Sequence, residues 1–117
     1  MSSFIIGSVN CRGLAEKIKK KSDIFSICKE RYDITVLTDT HCYLENESHW
    51  FGEWGYIGNF SSYSSRSRGV AVLFKNSFEY KINSEILDTD GNFVNLDITY
   101  GGQVYPIDEC EVPKVII

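Results

Sequence analysis

At 117 residues the chain is near the size of one domain and long enough to bury a core. Its 43 % hydrophobic and 24 % charged content is that of an ordinary folded chain, and no apolar run approaches the roughly 20 residues of a membrane-spanning helix. A net charge of −4 excludes a generally basic surface for nucleic acid, so any contact with phosphate must be local.

Met1-Ser2-Ser3 leads directly into a short strand-like run, without the basic region and longer apolar stretch of a secretory signal. The four cysteines, Cys11, Cys28, Cys42 and Cys110, show no Cys-x-x-Cys spacing and read as reduced thiols. The expectation is an intracellular chain, with nuclear or cytoplasmic residence left open.

Phe4 to Val9 reads as a buried strand running into Asn10. Leu14, Ile18, Phe25 and Ile27 with Cys28 then recur at roughly helical spacing, which predicts a surface helix from about Leu14 to Arg31. Lys17, Lys19, Lys20 and Lys21 fall between the apolar positions and read as a solvated face. Asp33 to Thr38 is a second strand, running into Asp39-Thr40-His41, and the short strand-helix-strand spacing implies a right-handed parallel crossover. The two polar strand ends would then lie side by side, at the edge where open α/β sheets place their ligands.

A short helix is expected near Glu45 to Phe51 and a strand near Gly55 to Phe60, with Trp50, Phe51, Trp54 and Tyr56 as core rings. Ser61 to Ser67 is a polar loop with Arg66 and Arg68 in and after it. Gly69 to Phe74 reads as a buried strand and Phe78 to Leu87 as a longer one. Asp90-Gly91 signals a hairpin, Asn92 to Tyr100 pairs back, and Gly101-Gly102 makes a second turn. Pro106 interrupts the run that begins at Gln103, so that strand should be short or irregular, and Val112 to Ile117 is an apolar tail. An α/β opening followed by an antiparallel meander gives an α+β class of α/β sandwich type.

Three motifs stand in order: Ser8-Val9-Asn10-Cys11-Arg12-Gly13-Leu14, Leu37-Thr38-Asp39-Thr40-His41, and Ser67-Arg68-Gly69-Val70-Ala71-Val72-Leu73. Together they resemble the endonuclease/exonuclease/phosphatase superfamily, and within it the apurinic-type endonuclease domain of LINE-like non-LTR retrotransposons. The resemblance implies a partial four-layer fold, a mixed sheet with an initial strand-helix-strand unit and then a meander. Residues 1–105 would be the N-terminal half of such a domain and 106–117 a divergent, irregular tail.

The same resemblance implies roles. Asn10 matches the family's active-site asparagine, and an uncharged amide can donate to phosphate without repulsion. Asp39 matches the metal-binding acid, and Mg²⁺ (or Mn²⁺) suits one carboxylate plus several waters. His41 and Thr40 match the tail of that motif and would place the ligand loop. Arg12, Arg66 and Arg68 are candidates for phosphate or DNA, beside capping and solvated-loop roles. A zinc site from His41, Cys42 and His49 is the rival metal reading, although adjacent His41 and Cys42 lack the usual ligand spacing. The family's second-half motifs, Gly-Asp-Phe-Asn and Ser-Asp-His, do not occur. The chain is therefore expected to be a catalytically silent part of a DNA endonuclease, partnered by a missing C-terminal half or by itself, with DNA bound if the fold is complete. A non-catalytic nucleic-acid-binding or protein-interaction remnant, exposing an unfinished apolar sheet, is the alternative. A small receiver-like domain is a third, disfavoured by the lack of helix after Gly69.

Overall fold

The computed structural model describes residues 4–14, 17–64, 68–88, 93–107 and 114–116. In chain order these form β1 (Phe4–Asn10), α1 (Ile18–Arg31), β2 (Ile34–Thr38), a 3-10 turn (Leu44–Asn46), α2 (Glu47–Trp54) and β3 (Gly58–Ser61). There follow β4 (Val70–Phe74), β5 (Lys81–Leu87), β6 (Val94–Tyr100), β7 (Gln103–Ile107) and β8 (Lys114–Ile116). A five-stranded mixed sheet has the order β3-β4-β2-β1-β8, and a three-stranded antiparallel sheet the order β5-β6-β7.

Strands β2 and β4 are apolar on both faces because both faces are covered, and their alternation sorts the core into two layers. Ile34, Val36, Val70, Val72 and Phe74 meet Val94, Leu96 and Ile98 of β6 between the sheets. Leu37, Ala71 and Leu73 point the other way, under Phe25 and Cys28 of α1 and Trp50 and Trp54 of α2. The result is helices, large sheet and small sheet in three layers. No helix of the described residues is long and apolar enough to cross a membrane.

The parallel pairing of β1 with β2 is as expected, with Asn10 opposite Thr38. Helix α1 departs from its expected face. Its buried positions are Lys21, Phe25 and Cys28, spaced i, i+4, i+7, while Ile18 and Ile27 are 73 % and 48 % exposed. Lys21 is thus no part of a solvated lysine face. Its Nζ sits 2.8 Å from Glu53 Oε1 and 4.7 Å from the centre of the Trp50 ring, clamping α1 to α2. Removing one partner of such a pair strands the other charge, whereas replacing the buried cation by a similar apolar chain removes the desolvation cost too. Because Glu53 is about a third exposed, Glu53→Gln should cost only about 1–2 kcal/mol, and Lys21→Met should be neutral or stabilising. Urea melts of the two variants check this; equal losses would show that the charge pair, and not its desolvation, governs the site.

Three other expectations are corrected. The strand thought to begin at Phe78 begins at Lys81, and Phe78 is a buried ring in the preceding turn, its amide donating to the Lys75 carbonyl at 3.0 Å. Strand β7 continues through Pro106 to Ile107, tolerated because β7 is an edge of its sheet. The tail is not wholly irregular: β8 pairs antiparallel with β1, Phe4 opposite Ile116. Of the two hairpin signals, Gly101-Gly102 joins β6 to β7, while Asp90-Gly91 and Cys110 lie outside the described residues.

The outer face of the small sheet is more polar than an unfinished apolar sheet would be. Asn83 Nδ2 donates to Thr99 Oγ1 at 2.7 Å and Ser84 Oγ to Asp97 Oδ2 at 3.2 Å, while Ile86 and Val104 are exposed on the flanking strands.

Candidate metal and phosphate site

Where β1 and β2 end, three loops are knitted together by main-chain hydrogen bonds. The amides of Cys11, Gly13 and Leu14 donate to the carbonyls of Thr38, Asp39 and Thr40 at 2.8–2.9 Å, fixing the β1 loop on the β2 loop. The amides of Thr40 and His41 donate in turn to the carbonyls of Gly69 and Arg68, at 3.1 and 2.8 Å, fixing both to the start of β4.

Local conformation there is unusual. All four described non-glycine residues with left-handed backbone lie in these loops: Arg12 (φ 52°), Asp39 (φ 51°), His41 (φ 60°) and Arg68 (φ 63°). Each such residue costs free energy, and they persist only where surrounding contacts over-determine them, commonly at functional sites. The motif glycines explain how the loops fit. A Cβ on Gly13 (φ 84°) would lie 2.6 Å from His41 Nδ1, and one on Gly69 (φ 109°) 2.2 Å from Thr40 Oγ1. Thr40 is fully buried and its hydroxyl accepts the Cys42 amide at 3.1 Å, so it has little room to yield.

This scaffold presents Asn10 and Asp39. Asn10 is exposed and its Oδ1 accepts the Arg12 amide at 3.2 Å, which turns the chain and leaves the Nδ2 amide as a donor. The Asp39 side chain is 43 % exposed, with Oδ1 held 2.9 Å from His41 Nε2. With the proton on Nε2, His41 donates to Asp39 Oδ1 and fixes the carboxylate, leaving Oδ2 facing away from that bond.

One half-exposed carboxylate beside a neutral amide fits Mg²⁺ or Mn²⁺, which retain waters. The donors suit zinc poorly. Cys42 is fully buried, its thiol is pushed up to about 12 by burial and it donates to Asn46 Oδ1 at 3.3 Å, so it is no thiolate at neutral pH. Cys11 is likewise buried and raised to about 12. Among the described residues no three His, Cys, Asp or Glu side chains form a cluster.

Asn10, Arg12, Asp39, His41 and Arg68 are therefore brought to one end of the large sheet, while Arg66 lies outside the described residues. His49, on α2, is exposed. Two participants escaped the sequence reading. Lys20, taken for part of a solvated run, donates from Nζ to the Cys11 carbonyl at 3.2 Å and brings a cation to the β1 loop. Tyr63 lies under the Arg68 guanidinium, 4.5 Å from its ring centre.

No family model and no curated protein matches the sequence. Solved structures do. D. rerio TDP2 complexed with single strand DNA product aligns over 92 % of this chain with a TM-score of 0.65 and 14 % identity. The human Nocturnin catalytic domain with bound sulfate anion aligns over 91 %, with a TM-score of 0.64 and 14 % identity. This chain spans less than half of either, 45 % and 48 % of their lengths. At that identity the likeness concerns architecture alone: the chain shares the fold of these two structures, an α+β sandwich.

Proposed function

We propose that this chain supplies the metal- and phosphate-holding flank of a Mg²⁺- or Mn²⁺-dependent DNA endonuclease of retrotransposon type. The observation that carries the reading is the adjacency of Asn10 and Asp39, set on neighbouring parallel strand ends by loops whose strained backbones are locked to one another. In support, one solved structure of this fold holds a single-strand DNA product and another a sulfate anion.

Asp39 would hold the ion, which supplies Lewis-acid polarisation of a phosphoryl oxygen when bound. Asn10 Nδ2 donates to a phosphate oxygen without adding charge, and His41 keeps Asp39 oriented. Arg12 and Lys20 add cationic charge beside the β1 loop in a chain that is acidic overall. Hydrolysis also needs a base for the attacking water and a further acid, which the family motifs absent from this sequence would provide. The chain alone is therefore expected to bind the ion and phosphate weakly and to leave DNA intact.

Titrating Mn²⁺ into the purified chain, followed by water-proton relaxation, tests the metal site. Asp39→Asn should weaken binding about tenfold or more, as loss of an anionic ligand does, with the fold unchanged by circular dichroism. Binding indifferent to that change would remove Asp39 from the site. Nicking of supercoiled plasmid by the chain alone, abolished by Asp39→Ala, would show that it needs no second half.

A further inference from the structure

One ring at the site does not join the core. Tyr63 is 48 % exposed, although large aromatics dominate cores wherever they fit. Its position is nevertheless fixed. The Tyr63 amide donates to the Cys42 carbonyl at 3.1 Å, and the preceding Ser62 hydroxyl donates to Glu47 Oε2 at 2.6 Å. Arg68, also exposed, lies over that ring, and its carbonyl accepts the His41 amide at 2.8 Å. Main-chain bonds to residues 41 and 42 thus tie the tyrosine and the arginine to the loop that carries Asp39.

We infer that Tyr63 and Arg68 form a stacking platform for an unpaired base of single-stranded nucleic acid, next to the phosphodiester that Asn10 and Asp39 would hold. The inference rests on that reading of the site. A base can stack on the outside of the pair formed by the half-exposed ring and the guanidinium laid over it, and the arginine's charge favours phosphate nearby. Base faces are hidden inside a duplex, so a platform of this kind selects single strands, loops or extruded bases. Every base has a π-face, so little sequence preference follows. The pair also supplies cationic charge locally in a chain whose total charge is −4, as phosphate binding here requires.

The test is fluorescence anisotropy of the full chain with labelled oligo(dT), oligo(rU) and an abasic oligodeoxynucleotide of equal length, with and without Mg²⁺. Wild type should prefer base-bearing strands to the abasic one. Tyr63→Ala should weaken them about tenfold, to the abasic level, and Tyr63→Phe should keep the affinity. Arg68→Gln should reduce the slope of log K against log salt by about 0.7. A loss confined to oligo(dT) or to oligo(rU) supports the platform and identifies DNA or RNA as its ligand. Equal affinity for abasic and base-bearing strands, an unchanged Tyr63→Ala, or no binding of any strand overturns it. Asp39→Asn separates the two proposals: base-dependent affinity without Asp39-dependent Mn²⁺ binding leaves the platform and removes the metal site. The opposite result removes the platform alone.

Discussion

Gly69→Ala should destabilise the fold by about 3–4 kcal/mol and disorganise the site with it, far beyond the usual effect of adding one methyl. Two terms combine. At φ 109° an alanine is strained whatever surrounds it, and its Cβ would also lie 2.2 Å from Thr40 Oγ1 and 3.3 Å from the His41 amide nitrogen. Thr40 cannot swing away cheaply, because its buried hydroxyl is the acceptor for the Cys42 amide. Displacing it leaves a buried donor unsatisfied, and moving the strand start instead breaks the Thr40 and His41 amide bonds to Gly69 and Arg68. Gly55→Ala is the internal control. Gly55 has a similar positive φ of 84° but nothing within 4 Å of an added Cβ, so it isolates the backbone strain, about 1 kcal/mol. Urea midpoints of both variants decide the matter: equal costs would mean that the Thr40 contact carries nothing. Adding Thr40→Ala to Gly69→Ala should recover part of the loss, a coupling expected only of residues in contact. If Asp39 holds Mn²⁺ as proposed, the same lesion should abolish that binding, since the loop that places Asp39 is the loop that is displaced.

The parts of this architecture legible in the sequence were those written in local patterns. Phe4–Asn10 and Ile34–Thr38 are largely apolar runs ending in polar residues, and a short helical crossover leaves their ends adjacent. Gly101-Gly102 announced its hairpin in the same local way. What depended on partners distant in sequence was hidden. Lys21 reads as polar, yet Trp50 and Glu53 from another helix make it a core position, while Ile18 and Ile27 read as core and face water. The β8 strand is a tail until β1, from the other end of the chain, gives it a partner. The site divides similarly. Asn10, Asp39, Gly13 and Gly69 stood out through their motifs, but the reason for the two glycines, His41 above one and Thr40 against the other, exists only once three loops meet. Tyr63 is one of seven tyrosines, and only its exposure beside Arg68 distinguishes it.

Stability should fall steeply above pH 9, and the cause lies directly beneath the candidate site. Cys11 and Cys42, both fully buried, flank the β1 and β2 loops, and burial raises each thiol from its ordinary value of 9 to about 12. Burial raises Cys28 as well. The folded protein therefore keeps protons that the unfolded chain releases once the pH passes 9, so the stabilisation is whole below 9 and is lost progressively as pH rises toward 12. Each such thiol contributes a slope of about 1.4 kcal/mol per pH unit in that window, so Cys11 and Cys42 together remove about 4 kcal/mol by pH 10.5, comparable with much of a domain's whole stability. Tyr80, whose hydroxyl is raised from 10 to about 12 chiefly by burial, acts in the same direction above pH 10. Urea midpoints from pH 7 to 10.5, under reducing conditions, should fall along this slope, and the Cys11→Ala/Cys42→Ala variant should lose most of it. That variant also lowers stability at every pH by the packing it removes, so the slope and not the absolute value is the readout. A wild-type slope unchanged in the variant would place the alkaline weakness elsewhere. The consequence for the proposed site is chemical: near neutral pH both sulfurs stay protonated, so neither would compete with Asp39 for the divalent ion it is proposed to hold.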